Sequence, residues 1–385
     1  MLITVISTEY EPHIIGGLGI VATRLAEALA ARGHEIVVLT KGTKPYIEEF
    51  SKRHLRIFRY PRDSEYFSKQ TQTFYANPIL HHLRKLGICP DIIHVHSVQG
   101  DALAKALSEK FGAQTLYTCH SLISEEGLET RFSQQMEHRQ RQLIEHAHAI
   151  ISPSRWQALL LMSQYPTANG KTYVVSNGTN IDPNPHIWHE RTLSHLLFVG
   201  RLIRSKCVLE TIHAVASLKK VDRKVKLDII GRGSKEYTTL LHRETDRLHL
   251  TQTVRFHGSV PHHEVISRMQ RAGIVVVPSR SESFGLVALE AMGNAIALAS
   301  TTSGGLADFV SKETASIIHH TTASDIAHAI QEVWGNSSKT LHRRYAAYAT
   351  AKQYTWEQCA KRYEEVINHQ QDAFTLSFEN EGTNK

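Results

Sequence analysis

Between Ile274 and Met292 the sequence passes from a strand-like run, Ile274-Val275-Val276-Val277-Pro278, through a polar turn, Ser281-Glu282-Ser283-Phe284-Gly285, into a helix-forming run from Val287 to Met292. A short apolar strand, a turn and a helix make one unit of a parallel sheet covered by helices, and this succession recurs along the whole chain. Strands are expected over 2–7, 35–40, 92–96 and 115–118, with helices over 18–32 and from Ala102. Gly33 stops the first helix, as a C-terminal glycine does. After a strand-poor stretch the pattern resumes, with strands over 195–199, 226–230, 254–258, 274–278 and 296–300 and a helix over 208–218.

The fold class is therefore α/β, with two doubly wound domains. At 385 residues the chain suits two domains of roughly 150–200 residues each. The strand-poor stretch, 180–192, carries Pro183 and Pro185 among polar turn formers and reads as a linker. The expected division is a first domain over 1–180, a second over 193–350 and a terminal segment over 351–370. Two such domains facing each other form a cleft at the carboxyl ends of their strands, where ligands of open α/β sheets bind. From Leu376 onward the sequence is polar and acidic, and a frayed end is expected.

Charge and cysteines narrow the setting. Lys and Arg exceed Asp and Glu by 44 − 37 = +7, which favours an anionic partner over a cationic one. The most basic run, Lys52 to Arg62, alternates like a strand, so it reads as a solvated strand face or as a docking face for an anionic acceptor or lipid head group. Cys89, Cys119, Cys207 and Cys359 are scattered without a C-x-x-C, so neither a zinc site nor a disulfide framework is indicated. No signal peptide and no span of about 20 apolar residues is evident. A cytoplasmic location with at most peripheral membrane contact is the expectation, and nothing suggests nucleic acid as a partner.

The chemistry-bearing residues fall at expected strand ends. Glu282 and Glu290 lie eight positions apart around Phe284-Gly285-Leu286. Backbone N–H groups at a helix start attract phosphate, and carboxylates accept from hydroxyls, a combination suited to a nucleotide carrying a sugar. Gly16-Gly17-Leu18-Gly19 opens the first helix, where glycines serve either a close anionic ligand or a structural turn, and it is not a dinucleotide fingerprint. Arg201 and Lys206 follow the strand over 195–199 and read as a diphosphate clamp or as surface charges. His120 follows the strand over 115–118; among 25 histidines it is a sugar contact or a structural residue. Glu125, Glu126 and Glu129 suit a cationic or polyhydroxyl acceptor, or a solvated helix start. His94 and His96 lie on one strand face and do not suggest a metal, no Asp-x-Asp clamp occurs, and Gly170-Lys171-Thr172 lacks the upstream glycine of a P-loop because Tyr165 stands there.

Together these residues resemble the retaining glycosyltransferases of the GT-B fold, specifically family 4, over about Met1 to Asn368. The E-x7-E element carries the resemblance, supported by GGLG, the histidine of YTCHS, SNGTNID, VGRL with Lys206, and IIGRG. The resemblance implies two Rossmann-like domains. It implies that Glu290 holds the ribose hydroxyls, that Glu282 lies near the transferred sugar, and that the backbone of Phe284, Gly285 and Leu286 meets sugar hydroxyls and phosphate. Arg201 and Lys206 would neutralise the diphosphate in place of a metal, Gly17 would sit beneath it, and His120 would contact the sugar. The terminal helix beginning near Tyr354-Thr355-Trp356 would cross back onto the first domain. Departures from the family pattern are Ser281 and Ser283 beside Glu282, Cys207 where glycine is common, and Gly293-Asn294 in place of two small residues.

The implied activity is transfer of a hexose or N-acetylhexosamine from a UDP-sugar to an acceptor hydroxyl, with catalysis by positioning and electrostatics and with no resident cofactor. Chains resembling this one include the N-acetylglucosaminyl transferases of aminoglycoside antibiotic pathways, which makes an aminocyclitol such as 2-deoxystreptamine one candidate acceptor. Glu125 and Glu126 would face it. A lipid or cell-envelope glycan is the competing acceptor. A sugar phosphorylase and a non-catalytic nucleotide-sugar binding protein are the rival classes.

Overall fold

The computed structural model describes residues 1–126, 130–185 and 193–382. The chain divides into two compact units, Met1–Gly178 with Trp356–Lys385, and Thr179–Thr355.

In the first unit the chain runs β1 (Leu2–Ile6), α1 (Gly17–Ala31), β2 (Glu35–Lys41), β3 (Glu48–Lys52), β4 (Leu55–Tyr60), the two-residue strands β5 (Phe67–Ser68) and β6 (Thr73–Phe74), α2 (Ala76–Lys85), β7 (Ile92–Val95), α3 (Asp101–Phe111), β8 (Gln114–Thr118), α4 (Arg131–His146), β9 (Ala149–Ser152), α5 (Arg155–Gln164) and β10 (Thr172–Val174). The main sheet has the order β10-β9-β8-β7-β1-β2-β4-β3 and is parallel except for β3, which pairs antiparallel with β4. β1, β7, β8 and β9 are buried nearly throughout, as strands covered on both faces must be. From β1 the chain first builds toward β2 and β4 and then reverses to β7, so the switch in strand order lies between β1 and β7.

The second unit repeats the plan with β11 (His195–Val199), α6 (Val208–Val221), β12 (Lys226–Ile230), α7 (Lys235–Arg247), β13 (Val254–Gly258), α8 (His262–Arg271), β14 (Ile274–Val277), α9 (Leu286–Gly293), β15 (Ala297–Ser300), β16 (Ser316–Ile317), α10 (Ala323–Gly335) and α11 (Ser337–Ala351). Its six parallel strands run β13-β12-β11-β14-β15-β16, with the switch between β11 and β14. One face carries Leu196, Phe198, Ile212 and Ile330, the other Leu197, Val275, Met269 and Leu289. Alternate strand residues thus feed two separate cores. The architecture is α/β with two Rossmann-like sheets.

The divisions do not fall at the prolines. Asp182 N–H donates to Gly293 O (3.0 Å) and a Cβ on Gly293 would meet Asn180 O at 2.8 Å, so the start of the expected linker already packs in the second unit. Residues 186–192 of that linker lie outside the described residues. Thr179 N–H donates to Tyr354 O (2.7 Å), and the Tyr354 ring packs against Phe309, which keeps the chain in the second unit as far as Thr355. Helix α12 (Trp356–Gly382) then packs on α1 in the first unit, where Arg32 and His34 both meet Glu364, at 2.6 and 2.9 Å. Trp356 is an anchor, 9% exposed and lying against Gly178. Where the sequence predicts fraying from Leu376, the helix runs on to Gly382, since extending an existing helix costs far less than starting one.

The basic run also departs from expectation. Lys52 and Arg53 are exposed, but Arg59 is 5% exposed, with its guanidinium over the Phe50 ring and Nη2 donating to Glu11 O at 2.5 Å. This is therefore only partly a solvated face, because β4 lies inside β3 rather than at the sheet edge. All four cysteines are free thiols. Among the described residues no helix is long and apolar enough to cross a membrane.

Candidate active site

In the second unit the chemistry gathers at the switch between β11 and β14. After β11, Gly200 takes φ +154 and Arg201 stands exposed on the loop, which is tied to the next strand end by Gly200 N–H on Ile230 O (3.0 Å) and Leu202 N–H on Arg232 O (2.8 Å). A Cβ on Gly231 would lie 1.8 Å from Gly200 O, so the two loops can touch only through glycine. A short 3₁₀ turn carries Lys206 into α6, and Cys207 adopts φ +54 at the joint. A left-handed joint explains why glycine suits that position; with a side chain there the conformation costs about 1 kcal/mol.

After β14 the loop folds onto that turn. Arg280 N–H donates to Ser205 O (2.8 Å), and Lys206 Nζ donates to Glu282 Oε2 at 2.5 Å. Ser279 Oγ donates to the same oxygen at 3.1 Å. Gly305 N–H meets Glu282 O at 2.8 Å, and a Cβ on Gly304 would lie 2.3 Å from that oxygen. Glu282 is thus fixed at both main chain and side chain. Lys206 Nζ also gives a longer bond to Ser281 O (3.5 Å), which leaves its third N–H for an anionic ligand while it holds the carboxylate.

Helix α9 starts at Gly285, which takes φ +102 and bears no side-chain cap. The N–H groups at such a start have no intrahelical acceptor. Phe284 is buried against Phe309, so only its main chain is available to a ligand. Glu290 lies deeper on α9, 5% exposed, with Oε1 2.7 Å from His262 Nε2. Asn294 replaces a small residue because its amide donates to Glu290 O (2.8 Å) and its oxygen receives Gln270 Nε2 (3.0 Å).

In the first unit Gly17 is exposed at the start of α1, whose cap residue, Gly16, has no side-chain bond. Glu9 Oε2 accepts from the N–H groups of Ile15 (2.8 Å) and Gly16 (3.0 Å), and Gly19 leaves room for that carboxylate, since a Cβ there would approach Glu9 Cβ to 2.9 Å. Glu9 is a residue to which the sequence alone gives no role. Across the switch, Thr8 N–H donates to Ser97 Oγ at 2.9 Å.

His120 is half-buried at the end of β8, its Nε2 3.0 Å from His96 Nδ1. The His94 and His96 rings lie 4.1 Å apart, His94 Nε2 meets Thr118 Oγ1 at 2.7 Å, and that hydroxyl meets Tyr363 OH of α12 at 2.9 Å. Burial pushes His94 down to about 3, with a smaller effect from His120, and pushes His120 itself to about 3. Burial, then His94 and His120, holds His96 well below the usual imidazole range. All three are neutral at neutral pH, hydrogen-bonding groups rather than cations.

Glu125 is exposed in a short 3₁₀ turn over Ile123–Glu126, and the following helix starts only at Arg131, capped by Thr130 and Ser133. Glu125 therefore does not sit at the start of that α-helix. Glu129 and the side chain of Glu126 lie outside the described residues.

Comparison with known proteins fits this geometry. Residues 15–183 match the model "Glycosyltransferase Family 4", and residues 189–353 match "Glycosyl transferases group 1". The D-inositol 3-phosphate glycosyltransferase of Corynebacterium aurimucosum is 26% identical over 380 residues, covering 91% of this chain and 90% of that protein. The sucrose-phosphate synthase structure from Thermosynechococcus elongatus superposes with a TM-score of 0.77 at 21% identity, covering 97% of this chain and 99% of that one. The structure of Anabaena HepE in complex with UDP-glucose gives a TM-score of 0.73 at 17% identity, covering 96% and 100%. With both units matched by glycosyltransferase models and the fold shared with these structures, the chain carries the two domains of family 4 and group 1 glycosyltransferases, and the protein is a glycosyltransferase of the GT-B type.

Proposed function

We propose that the enzyme transfers a hexose or N-acetylhexosamine from a UDP-sugar to an acceptor hydroxyl with retention of anomeric configuration, and that it needs no metal ion. The observation that carries this reading is the Lys206–Glu282 pair, 2.5 Å apart beside the uncapped start of α9. A carboxylate near the anomeric carbon favours the positive charge that develops there, while Lys206 and Arg201 favour the negative charge on the departing diphosphate. The bond from the anomeric carbon to the diphosphate oxygen breaks. The acceptor oxygen bonds to that carbon on the same face, and its proton passes to the leaving phosphate oxygen. Glu290 receives the ribose hydroxyls, the main chain of Phe284, Gly285 and Leu286 meets the sugar and phosphate, Gly17 lies against the phosphates, and His120 contacts the transferred sugar. HepE, bound to UDP-glucose, supports the donor class.

For the acceptor we favour a cyclitol hydroxyl, and among cyclitols an aminocyclitol of the 2-deoxystreptamine kind, which would place the enzyme in cytoplasmic antibiotic biosynthesis. The support is the exposed Glu125 and a relative named for a cyclitol phosphate. A second reading, a lipid-linked or cell-envelope glycan, rests on Tyr46 and Phe50, 60% and 50% exposed beside basic Lys52 and Arg53. Incubation with UDP-glucose and UDP-N-acetylglucosamine over a panel of both acceptor kinds tests the proposal, read by UDP release and by the anomeric coupling of the product. UDP release in the presence of EDTA with an unchanged anomer is the expected result. No release with any acceptor overturns the reading, and liposome binding that weakens with salt favours the second acceptor.

A further inference from the structure

Glu290 is nearly buried, and a carboxylate at that depth is tolerated only with a hydrogen-bonding partner. The partner is His262, the first residue of α8, with Nε2 2.7 Å from Glu290 Oε1; the two side chains are 14% and 7% exposed. The contact is built into the fold, because α8 and α9 pack on one core through Val265 and Met269 from the first and Leu289 and Met292 from the second. Among the described residues no other donor is bonded to that carboxylate, and Oε2 is left to accept elsewhere.

We infer that His262 is a positioning residue for the nucleotide, holding Glu290 Oε1 so that Oε2 is presented in one orientation to the ribose diol of a nucleoside diphosphate. The inference rests on the proposed role of Glu290 and adds to it the group that makes the role effective. The terminal torsion of a glutamate is soft, so a carboxylate without a tether must be ordered when the ligand binds. A hydrogen bond already made to one oxygen fixes the plane of the group, and the ligand then meets a prepared acceptor rather than a mobile one. His262 touches no reacting atom, and its effect belongs to donor binding rather than to the chemical step.

A purely structural pair, pinning α8 to α9, would affect stability but leave ribose recognition intact. The test therefore reads ribose recognition. Calorimetric titration of the full chain with UDP, ADP and GDP selects the tightest diphosphate, and its 2′-deoxy and 3′-deoxy forms are then titrated into the wild type, His262→Ala, His262→Gln and Glu290→Ala, with thermal unfolding recorded for each. The wild type should lose about tenfold in affinity when a ribose hydroxyl is removed. His262→Ala should bind the parent diphosphate about tenfold more weakly and should no longer distinguish it from the deoxy forms. His262→Gln, whose amide N–H reaches the place of Nε2, should recover that distinction. Should His262→Ala not fold, His262→Asn replaces it, because its amide stops short of Oε1.

Full ribose discrimination in His262→Ala or His262→Asn, alongside its loss in Glu290→Ala, overturns the inference and leaves the pair structural. Discrimination that survives in Glu290→Ala itself overturns the ribose role of Glu290. Failure of all three diphosphates to bind the wild type overturns both.

Discussion

The strand ends of the two units solve the same problem, holding polar side chains at the rim of a parallel sheet, with opposite chemistry. In Thr179–Thr355 the rim carries two glutamates, each with a partner: Lys206 on Glu282, His262 on Glu290. In the other unit the end of β8 is uncharged, a chain from Tyr363 of α12 through Thr118 to His94, with His96 and His120 stacked beside it. Lys206, with 16% of its side chain exposed, can share its charge between Glu282 and an anionic ligand. Uncharged imidazoles held by burial instead keep a hydrogen-bonding surface constant over a wide pH range. On the proposed reading the lysine and carboxylates of the second unit meet the donor, and the first unit adds uncharged contacts, the main chain at Gly17 and the His120 ring.

The largest test of that contrast removes a charge. Lys206→Ala should lower kcat/KM about 10²–10³-fold, as loss of one preorganised electrostatic contact does, with far-ultraviolet circular dichroism unchanged. A change below about fivefold would mean that the Lys206–Glu282 pair is only structural.

Glycines sharpen the comparison at the level of the backbone. Gly285→Ala should cost about 2–4 kcal/mol in denaturant unfolding, because φ is +102 and the added carbon would lie 2.3 Å from Leu306 Cδ2. Gly112→Ala, at φ +66 with open space around it, should cost only about 1 kcal/mol. Equal costs would remove the claim that the α9 turn is sterically locked.

The neutral histidines make an acid-side prediction. Burial places His94 at about 3 in the folded protein against about 6.5 in the unfolded chain, so between those values the unfolded state binds the extra proton. Stability should therefore be intact above pH 6.5 and fall as the pH drops toward 3, by about 1.4 kcal/mol per pH unit for each fully buried histidine. Urea titrations at pH 7.0, 6.0 and 5.0 read the slope, and a flat profile would contradict neutral burial. The smallest expected effect is His96→Leu, which deletes the partner of His120 and should reduce kcat about five- to tenfold while leaving the KM for donor unchanged.

Much of the layout was legible in the sequence, because repeated apolar strands and helix-opening glycines are local signals. Strands over 195–199, 226–230 and 254–258 match β11, β12 and β13 residue for residue. The pairings were not legible. Nothing in a chain with 25 histidines singles out His262, and the strand pattern pairs His96 with His94 but not with His120, since the partners lie 28 and 24 positions away. Glu9 could have been found, as an acid just before a glycine-rich helix start. Near the expected boundaries, the packing of Asn180, Asp182 and Tyr354 decides which unit owns a segment, which prolines alone do not mark.

The most direct check on the account is equilibrium titration of the wild type and Lys206→Ala with UDP-glucose and UDP-N-acetylglucosamine. The wild type should bind at least one of them, and the variant should bind it at least about tenfold more weakly, with the difference largest at low salt. Binding of equal strength by both proteins, or none by the wild type, would contradict the account.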